Sequence, residues 1–464
     1  MFISHDNQIL YVKTKKEYQV CNMYAIIDDN HNITKYIGDV GNYDAEYEYL
    51  CMICSVNWIN NKKINCKNYI KDNISDRYEY HISAYAIDPD NCKDCDDALS
   101  IEKIGVDKYK IGIHIADVSA YILPNTDLDK ELQKRCESIY LKNPIHMLPL
   151  ELVELLSLGG NVYKSCFSIF IIFTNNSFLD IQFLRTRVKV SNITYDNASK
   201  QLESNNELNM LYNIGKIIYD MQECNDKIYD VHKMVEIYMI MANKYAAEHA
   251  NNKLFRSHKI KQKIHHHDKS IEDIANILLM ERATYTDIAN SHEGLKLSKY
   301  THFTSPIRRY ADIIVHRMLS DDRYCIDKTQ IENINTMHHL YHDSEMHYSF
   351  LNKIYDLYYQ IEDQTIITNG IIIGIDVDKT NLSIYVPDYD FIIHKPLISK
   401  RIEKTVQCQY FDDKIIVENI TLHLFQEIKL KLAIILTRKS KLLYQIIDPY
   451  MDLLQSTSTA STCL

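Results

Sequence analysis

The segment 86–99 contains five aspartates, and four of them are the candidates for chemistry: Asp88, Asp94, Asp96 and Asp97. Carboxylates that are only a few ångströms apart repel one another, and each raises the pKa of its neighbours. Divalent cations relieve this repulsion, because carboxylate oxygens are the ligands that Mg²⁺ prefers. Mg²⁺ held by a few carboxylates is in turn a common partner of phosphates. The residue types therefore predict phosphodiester chemistry at a metal site.

An ordinary turn or a calcium loop would also place acidic residues close together. Pro89, Asp90 and Asn91 are all turn formers, so composition alone does not separate a turn from a metal site. An EF-hand calcium loop does not fit, because the glycine and the distal glutamate of that pattern are missing. The turn and the magnesium site therefore both stay open at this point.

Cysteines and histidines offer further candidate metal ligands. The pairs Cys51/Cys54 and Cys92/Cys95 together imitate the spacing of a four-cysteine zinc site. The first pair lies in an apolar stretch and the second in the acidic segment, and free cysteine is often buried. We therefore interpret them as buried thiols rather than zinc ligands. The histidines at 265–267 are interpreted as a solvated loop, because three adjacent side chains do not easily face one ion.

A second candidate element is a helix predicted over 306–319, with Ser305 as its N-cap and Pro306 in its first turn. Arg308 and Arg309 would then lie in that first turn, where cations oppose the helix dipole. Since helix stability does not account for them, we interpret both arginines as ligands of an anion such as phosphate. The alternative is a pair of solvated or salt-bridged arginines.

Basic side chains also alternate along the segment 183–190, which has the period of two that is typical of a strand. This period places Arg185, Arg187 and Lys189 on one face, where they could bind a nucleic-acid backbone. A solvated strand face has the same pattern, and the two interpretations stay open.

Three more motifs follow the acidic segment in order, and together the four resemble the catalytic signatures of the RNase II/RNB family of exoribonucleases. The motifs occupy residues 114–119, 140–149 and 300–317. The resemblance extends over about 83–350 and is weaker at both ends. Cys92 and the form of the segment 302–310 favour the eukaryotic exosome-associated branch over bacterial RNase II.

The resemblance implies a Mg²⁺-dependent, processive 3′-to-5′ exoribonuclease, with Mn²⁺ as an alternative metal, that degrades single-stranded RNA to nucleoside 5′-monophosphates. The four aspartates would hold the metals, and Asp96 would be the position to which the rate is most sensitive. The roles implied for other residues are a catalytic arginine for Arg308, an RNA-backbone contact for Arg309, stacking on the 3′-terminal nucleotide for Tyr140, and a catalytic glutamate that faces the site for Glu236. For Glu236, a surface partner four residues away in its helix is the open alternative.

The expected fold is α+β, with an RNB catalytic domain of mixed sheet and helices flanked by small OB-type β-barrels. The expected domains are a shortened cold-shock/OB-like module (1–82), the catalytic domain (83–362), an S1-like OB domain (363–453) and a polar disordered tail (454–464). Apolar periodicity predicts helices over 230–249, 271–288 and 328–362, and the N-terminal module is expected to contain strands over 8–13, 20–27 and 51–58.

Bulk composition limits the partners and the compartment. The formal net charge is −10, so positive charge that binds RNA should be local and line a channel rather than cover the surface. The 35 tyrosines and only 10 glycines are typical of an AT-rich genome, such as that of a microbe or a large DNA virus. With neither a signal peptide nor an apolar membrane span, we expect an intracellular, cytoplasmic protein that does not bind membranes and whose thiols are reduced.

Single-stranded RNA is the expected partner, a monomer is compatible with the sequence, and partners in a decay complex are not indicated. A rival interpretation from another class is an RNB-fold RNA-binding protein that has lost catalysis. Such proteins usually lose aspartates of the quartet, and all four are present here. A scaffold subunit of a decay complex is a further rival, for which no residue speaks directly.

Overall fold

The computed structural model shows a mixed α+β protein and describes residues 2–3, 9–10, 22–53, 76–221, 229–260, 265–360, 365–376, 381–396, 408–411, 413–417, 420–436 and 442–449. The chain divides into two units. Unit 1 comprises Met1–Trp58, Lys261–Met280 and His342–Leu464, and unit 2 comprises Ile59–Ile260 and Glu281–Tyr341. The domain boundaries expected at 82 and 362 stay predictions, and the expected disordered tail lies outside the described residues.

The N-terminal part of unit 1 contains two antiparallel strand pairs followed by a helix. These elements are β1 (Phe2–Ile3), β2 (Ile9–Leu10), β3 (Met23–Ile27), β4 (Ile33–Asp39) and α1 (Tyr43–Ile53). The strand predicted over 51–58 is wrong at 51–53, because these residues complete α1. The helix starts where the Asn42 side chain accepts the backbone N–H of Ala45, and it buries Leu50 and Cys51. Residues 54–58 lie outside the described residues.

A closed five-stranded barrel forms the centre of unit 2. Its strands, in barrel order, are β5 (Tyr78–Asp88), β6 (Asp97–Gly105), β7 (Lys108–Ala116), β8 (Val162–Thr174) and β9 (Ser177–Thr194). Neighbouring strands are antiparallel except β5 and β9, which close the barrel as a parallel pair. The acidic segment connects the end of β5 to the start of β6, so both ends of this segment lie at one rim of the barrel.

Helices cover the barrel and carry the remaining motifs of unit 2. Helix α6 contacts β6 and α7 contacts β7, so residues 111–116 of β7 are buried on both faces. The elements of unit 2 are α2 (Val118–Tyr121), α3 (Asp127–Arg135), α4 (Leu150–Leu156), α5 (Tyr195–Gln201), α6 (Asn206–Met221), α7 (Val231–Glu248), β10 (Phe255–Ser257), β11 (Thr284–Thr286), α9 (Tyr310–Ser320) and the first part of α10 (Lys328–Gln360). Helix α8 (Lys269–Leu279) belongs to unit 1, as does the second part of α10.

Two of the predicted helices are confirmed within the described residues, and one is only partly right. Helix α7 begins at the predicted place because the Asp230 side chain accepts the Lys233 backbone N–H at 2.8 Å. Helix α10 agrees with the prediction over 328–360. The helix predicted over 271–288 ends at Leu279, since residues 284–286 form β11 and pair with β10. The Thr284–Thr286 segment has β-branched ends, which favour this strand pairing over a continued helix.

The C-terminal part of unit 1 consists of antiparallel strands. They are β12 (Thr365–Asp376), β13 (Asn381–Val386), β14 (Phe391–Pro396), β15 (Cys408–Tyr410), β16 (Lys414–Val417), β17 (Ile420–His423), β18 (Glu427–Ile434) and β19 (Leu442–Asp448). One sheet has the order β14-β13-β12-β18-β19, and β15-β16-β17 form a second. Antiparallel strands agree with the β character expected of this region, whereas an S1-like OB domain stays a prediction. Among the helices that the structure describes, none is both long enough and apolar enough to cross a membrane.

A series of hydrogen-bonded polar side chains lies on the buried face of the barrel around His114. Its Nε2 atom lies 2.8 Å from Ser100 Oγ, and its Nδ1 atom lies 2.7 Å from Ser168 Oγ. Ser168 Oγ is in turn 2.6 Å from Thr186 Oγ1. The imidazole is therefore fully buried with a hydrogen-bond partner at each nitrogen. A side chain at position 112, which is Gly112, would collide with this imidazole.

The free energy of unfolding is expected to fall as the pH drops below about 6.5, in part because of His114. Burial, with a contribution from the charge of Lys110, lowers the pKa of the His114 imidazole from 6.5 to about 3. Between these values the unfolded chain binds a proton that the folded chain does not. This one group should therefore reduce stability by about 1.4 kcal/mol per pH unit below 6.5. Urea unfolding of the wild type and His114→Gln at several pH values measures the difference.

The matched control for this prediction is His81→Gln, because His81 is an exposed histidine on strand β5 of the same barrel. His81→Gln should keep the pH slope of the wild type, whereas His114→Gln should flatten it. Identical slopes for the wild type and His114→Gln would contradict the assignment of a buried neutral imidazole at this position.

Candidate active site

The barrel rim brings all four aspartates of the acidic segment together. Asp88 is the last residue of β5 and Asp97 the first of β6, so the connection between them carries Asp94 and Asp96. A turn with a left-handed residue at Asn91 (φ 61°) folds this connection back. The carboxylates interact electrostatically: Asp88 with Asp94 and Asp97, and Asp96 with Asp97. The predicted grouping is therefore present in the structure.

Burial makes these carboxylates unusual. Asp96 is only 4% exposed, and its Oδ1 accepts the backbone N–H of Ile307 at 2.7 Å. Oδ2 of Asp96 and Oδ2 of Asp88 are buried and have no hydrogen-bond partner among the described residues. Burial, with the nearby charge of Asp88, raises the pKa of Asp97 to about 7, and burial also raises the pKa of Asp96 and Asp88. Buried carboxylate oxygens that accept no hydrogen bond are the donors that a hard divalent cation fits.

Arg308 is the cation that faces this group. Its Nε lies 3.6 Å from Asp96 Oδ2, and its Nη2 donates a 3.0 Å hydrogen bond to Ser305 Oγ. The charge of Arg308 acts to lower the pKa of Asp88, Asp96 and Asp97, against the effect of burial. The side chain is 43% exposed, so part of the guanidinium is accessible to a ligand beside the carboxylates.

The helix after this arginine begins at Tyr310 and not at residue 306 as predicted. The cause is tertiary, because carboxylates take the backbone amides that a helix start would leave free. Asp312 Oδ1 accepts the N–H of Ser305 at 2.7 Å, and Asp96 accepts that of Ile307. Residues 306–308 therefore form a turn, and Ser305 is not the N-cap. The prediction that both arginines lie in the first helical turn is wrong.

The Arg309 side chain is engaged in an ion pair within the protein. The backbone of this residue is extended (φ −134°, ψ 126°) and forms a bridge with Glu137. Its guanidinium pairs with Asp312 through two contacts of 3.0 Å, from Nη2 to Oδ1 and from Nε to Oδ2. This buried pair holds the turn to the first turn of α9. An RNA-backbone contact by Arg309 stays a prediction.

Tyr140 lies beside the carboxylates. Its hydroxyl donates a 2.5 Å hydrogen bond to Asp94 Oδ2, and His146 Nδ1 lies 3.8 Å from the same oxygen. The side chain is 40% exposed, so one part of the ring is accessible from solvent while the hydroxyl is anchored. This geometry is compatible with stacking on a base.

The other predicted site residues are engaged in ion pairs. Glu236 Oε2 lies 2.6 Å from Lys233 Nζ on the surface of α7, which is a helical partner three residues away rather than the four of the alternative interpretation. Arg185 Nη1 lies 2.8 Å from Asp117 Oδ2, and Arg187 Nη1 lies 3.8 Å from Glu79 Oε2. Roles of these three residues in RNA binding or catalysis stay predictions.

Two residues near the site were not predicted from the sequence. Asp312 positions the turn through Arg309, and the sequence signal was available, since the two are three residues apart across a helix start. Tyr195 stacks on His232 with ring centroids 3.7 Å apart. Tyr195 follows Thr194, which pairs with Asp88 in the barrel, so it lies beside the carboxylates. Burial, followed by the charge of Asp97, raises the pKa of Tyr195 to about 12. No sequence signal distinguished it among 35 tyrosines.

The structure thus has a closed barrel with a carboxylate cluster and an arginine at its rim. The chain belongs to the RNB domain family, whose model matches residues 77–229 and 213–321. This finding confirms the family and fold class predicted from the motifs.

Curated relatives include ribonucleases of bacteria and exosome exonucleases of eukaryotes. Ribonuclease R of Chlamydia pneumoniae is 29% identical over 328 residues, which cover 54% of this chain and 48% of the relative. Ribonuclease R of Aquifex aeolicus is 31% identical, with 51% and 44% covered. The probable exosome complex exonuclease RRP44 of Caenorhabditis elegans is 30% identical, with 51% and 33% covered. The chain thus spans about half the length of these relatives or less, and both branches match at similar identity.

Solved structures show the same fold. The apo form of Mycoplasma genitalium RNase R superposes with a TM-score of 0.70 at 19% identity, covering 90% of this chain and 81% of that one. Yeast Ssd1, described as a pseudonuclease, superposes with a TM-score of 0.66 at 14% identity, covering 90% and 75%. At such identities the likeness concerns the fold alone, which occurs in active nucleases and in a pseudonuclease.

Proposed function

We propose that this protein is a divalent-metal-dependent 3′-to-5′ exoribonuclease that hydrolyses single-stranded RNA to nucleoside 5′-monophosphates. The observation that carries the proposal is the group of four buried or half-buried aspartates with Arg308 Nε 3.6 Å from Asp96 Oδ2. The names of the relatives, ribonuclease R and exosome exonuclease, support RNA as the substrate. Processive action is part of the same proposal and is supported by the family resemblance.

The carboxylates provide the site for the metal. Mg²⁺, or Mn²⁺ as an alternative, would be held by Asp88, Asp94, Asp96 and Asp97. The Oδ2 atoms of Asp88 and Asp96, which accept no hydrogen bond, fit that role. When bound, such ions supply charge stabilisation at the phosphoryl oxygens and a nucleophilic water at neutral pH. A hard cation would also relieve the mutual repulsion that adds to the effect of burial in raising the pKa of Asp88, Asp96 and Asp97.

The protein's own cation and aromatic ring would hold the substrate. Arg308 is fixed by Ser305 on one side and attracted by Asp96 on the other, so its exposed edge can bind the scissile phosphate through paired N–H groups. Tyr140, anchored on Asp94, would stack on the terminal base, which contributes about 1–3 kcal/mol for any base. The remaining proposed residues would contact the RNA farther from its 3′ end or support Arg308 and Tyr140. They are Arg185, Arg187, Arg309 and Glu236.

A second candidate function is an RNA-binding protein of the same fold without catalysis. The likeness to the pseudonuclease Ssd1 favours it, because that protein has the fold without the activity that nucleases of this family perform. The four aspartates and the arginine in one place favour the nuclease, since a binding protein has no need for buried, mutually repelling carboxylates.

A time course on a 5′-labelled single-stranded RNA, with Mg²⁺ or with EDTA, separates the two functions. We expect a ladder that shortens from the 3′ end in Mg²⁺ and no shortening in EDTA. Release of 5′-monophosphates identifies the bond that is cleaved. Tight RNA binding without shortening in either Mg²⁺ or Mn²⁺ would overturn the nuclease proposal and favour the binding protein.

A further inference from the structure

Two thiols share the acidic connection with the carboxylates. Cys92 and Cys95 lie in the turn between β5 and β6, and the structure places both beside Asp88. One oxygen of Asp88 and the two Sγ atoms all lie within 4.8 Å of one another. Donor atoms around a tetrahedral zinc ion are about 3.5–3.8 Å apart, given Zn–S and Zn–O distances of about 2.3 and 2.0 Å. Small side-chain rotations would therefore seat a cation among the three donors.

The backbone holds both cysteines in this arrangement. The N–H of Cys92 donates to the Pro89 carbonyl at 3.3 Å, closing the turn at Asn91. The N–H of Cys95 donates to Ser157 Oγ at 3.0 Å. With both backbone positions fixed, only the side-chain torsions need to change when an ion binds. A preformed set of donors lowers the cost of ordering the site.

A cavity of about 950 Å³ opens beside this set and is lined by Asp88, Cys92 and Cys95. Cys95 is buried, whereas Cys92 is half-buried and offers the approach from the cavity. Both thiols hydrogen-bond to the Asp88 carboxylate, so a bound cation would take the place of these two thiol protons. The cavity leaves room for a water molecule or a small anion as a fourth ligand, which completes a tetrahedron.

The donor types select a different metal from that of the aspartates alone. Thiolates are soft ligands that favour zinc and similar ions, whereas carboxylates and water favour Mg²⁺. Asp94, Asp96 and Asp97 provide only oxygens, and Cys92 and Cys95 provide only sulfur. Asp88 lies between the two sets and can serve either.

We propose that Cys92, Cys95 and Asp88 form a binding site for a thiophilic divalent cation such as Zn²⁺. Occupation of this site withdraws Asp88 from the set that holds Mg²⁺ and slows RNA hydrolysis, so a thiophilic metal acts as a reversible inhibitor. The inhibition rests on the function proposed above, whereas the cation site itself does not.

Cadmium is the probe for the site, because a Cd²⁺–thiolate contact produces an ultraviolet charge-transfer absorption that does not depend on nuclease activity. The reduced, chelator-treated full-length protein is titrated with Cd²⁺ as wild type, Cys92→Ser, Cys95→Ser and Cys325→Ser. Cys325 is an exposed thiol outside the cluster, which makes its variant the matched control. We expect the first two variants to lose the tight phase of the absorption change and to bind at least about 10-fold more weakly. Zn²⁺ added afterwards should displace the Cd²⁺ signal.

Equal titrations of the wild type, Cys92→Ser and Cys95→Ser would overturn the site. Thermal melts of each variant show that it is folded, and the half-buried Cys92 keeps the test valid where serine at the buried Cys95 prevents folding. Hydrolysis of single-stranded RNA at fixed Mg²⁺ and rising Zn²⁺, normalised to the zinc-free rate of each variant, tests the inhibition. A cadmium signal without any nuclease activity would support the cation site and reject the proposed function. Nuclease activity without a cadmium signal would reject the cation site alone.

Discussion

Asparagine in place of Asp96 is expected to lower the rate of RNA hydrolysis by more than about 100-fold. Asp96 is buried, accepts the Ile307 N–H through Oδ1 and directs Oδ2 towards Arg308. Asparagine keeps the first contact and removes the charge. Since a residue behind the direct ligands of a metal already costs about 10- to 100-fold when replaced, loss of a ligand should cost more. Single-turnover rates on a labelled RNA in Mg²⁺ measure the effect.

The matched control is Asp90→Asn, which makes the same chemical change at an exposed position of the same connection. It should retain the wild-type rate. Asp96→Asn should also keep the wild-type melting temperature and RNA affinity, because burial disfavours the ionised carboxylate that it removes. A variant that is folded, binds RNA and hydrolyses it at the wild-type rate would remove Asp96 from the site.

The second large effect is on stability, and Asp117→Asn is expected to lower the free energy of unfolding by about 3–5 kcal/mol. Asp117 Oδ2 lies 2.8 Å from both Arg77 Nη2 and Arg185 Nη1. The Asp117 and Arg77 side chains are 0% and 2% exposed, so the variant removes a buried carboxylate that two guanidinium groups contact. Although burial raises the pKa of Asp117, Arg185 and Arg77 together bring it below its usual range, and the group is ionised in the folded protein. Urea unfolding measures the loss.

Asp321→Asn provides the comparison for this loss, because Asp321 pairs with Arg323 at 2.9 Å on the surface. An exposed ion pair contributes little, since water already solvates both charges. We expect no measurable change for Asp321→Asn. A loss for Asp117→Asn that is no larger than that of the exposed variant would show that the buried cluster does not stabilise the barrel.

Local patterns in the sequence determined the family, the acidic segment as the candidate site, and the elements with strong periodicity. Helix α7 is an example, because its apolar spacing and the Asp230 cap both lie within the element itself. The grouping of Asp88, Asp94, Asp96 and Asp97 was likewise predictable, since one short connection carries all four. Such features need no information from distant parts of the chain.

Only the tertiary structure decided how the second half of the site is formed. Asp96 takes the amide of Ile307, 211 residues away in the chain, so a turn replaces the first helical turn predicted from Ser305 and Pro306. Periodicity could not show this, because the competing acceptor comes from another element. The same reason applies to Cys92 and Cys95, whose spacing resembled a zinc motif but whose third potential ligand, Asp88, is fixed by the end of β5. The sequence by itself determined which residues could do chemistry, and the packing of the barrel rim decided which of them meet.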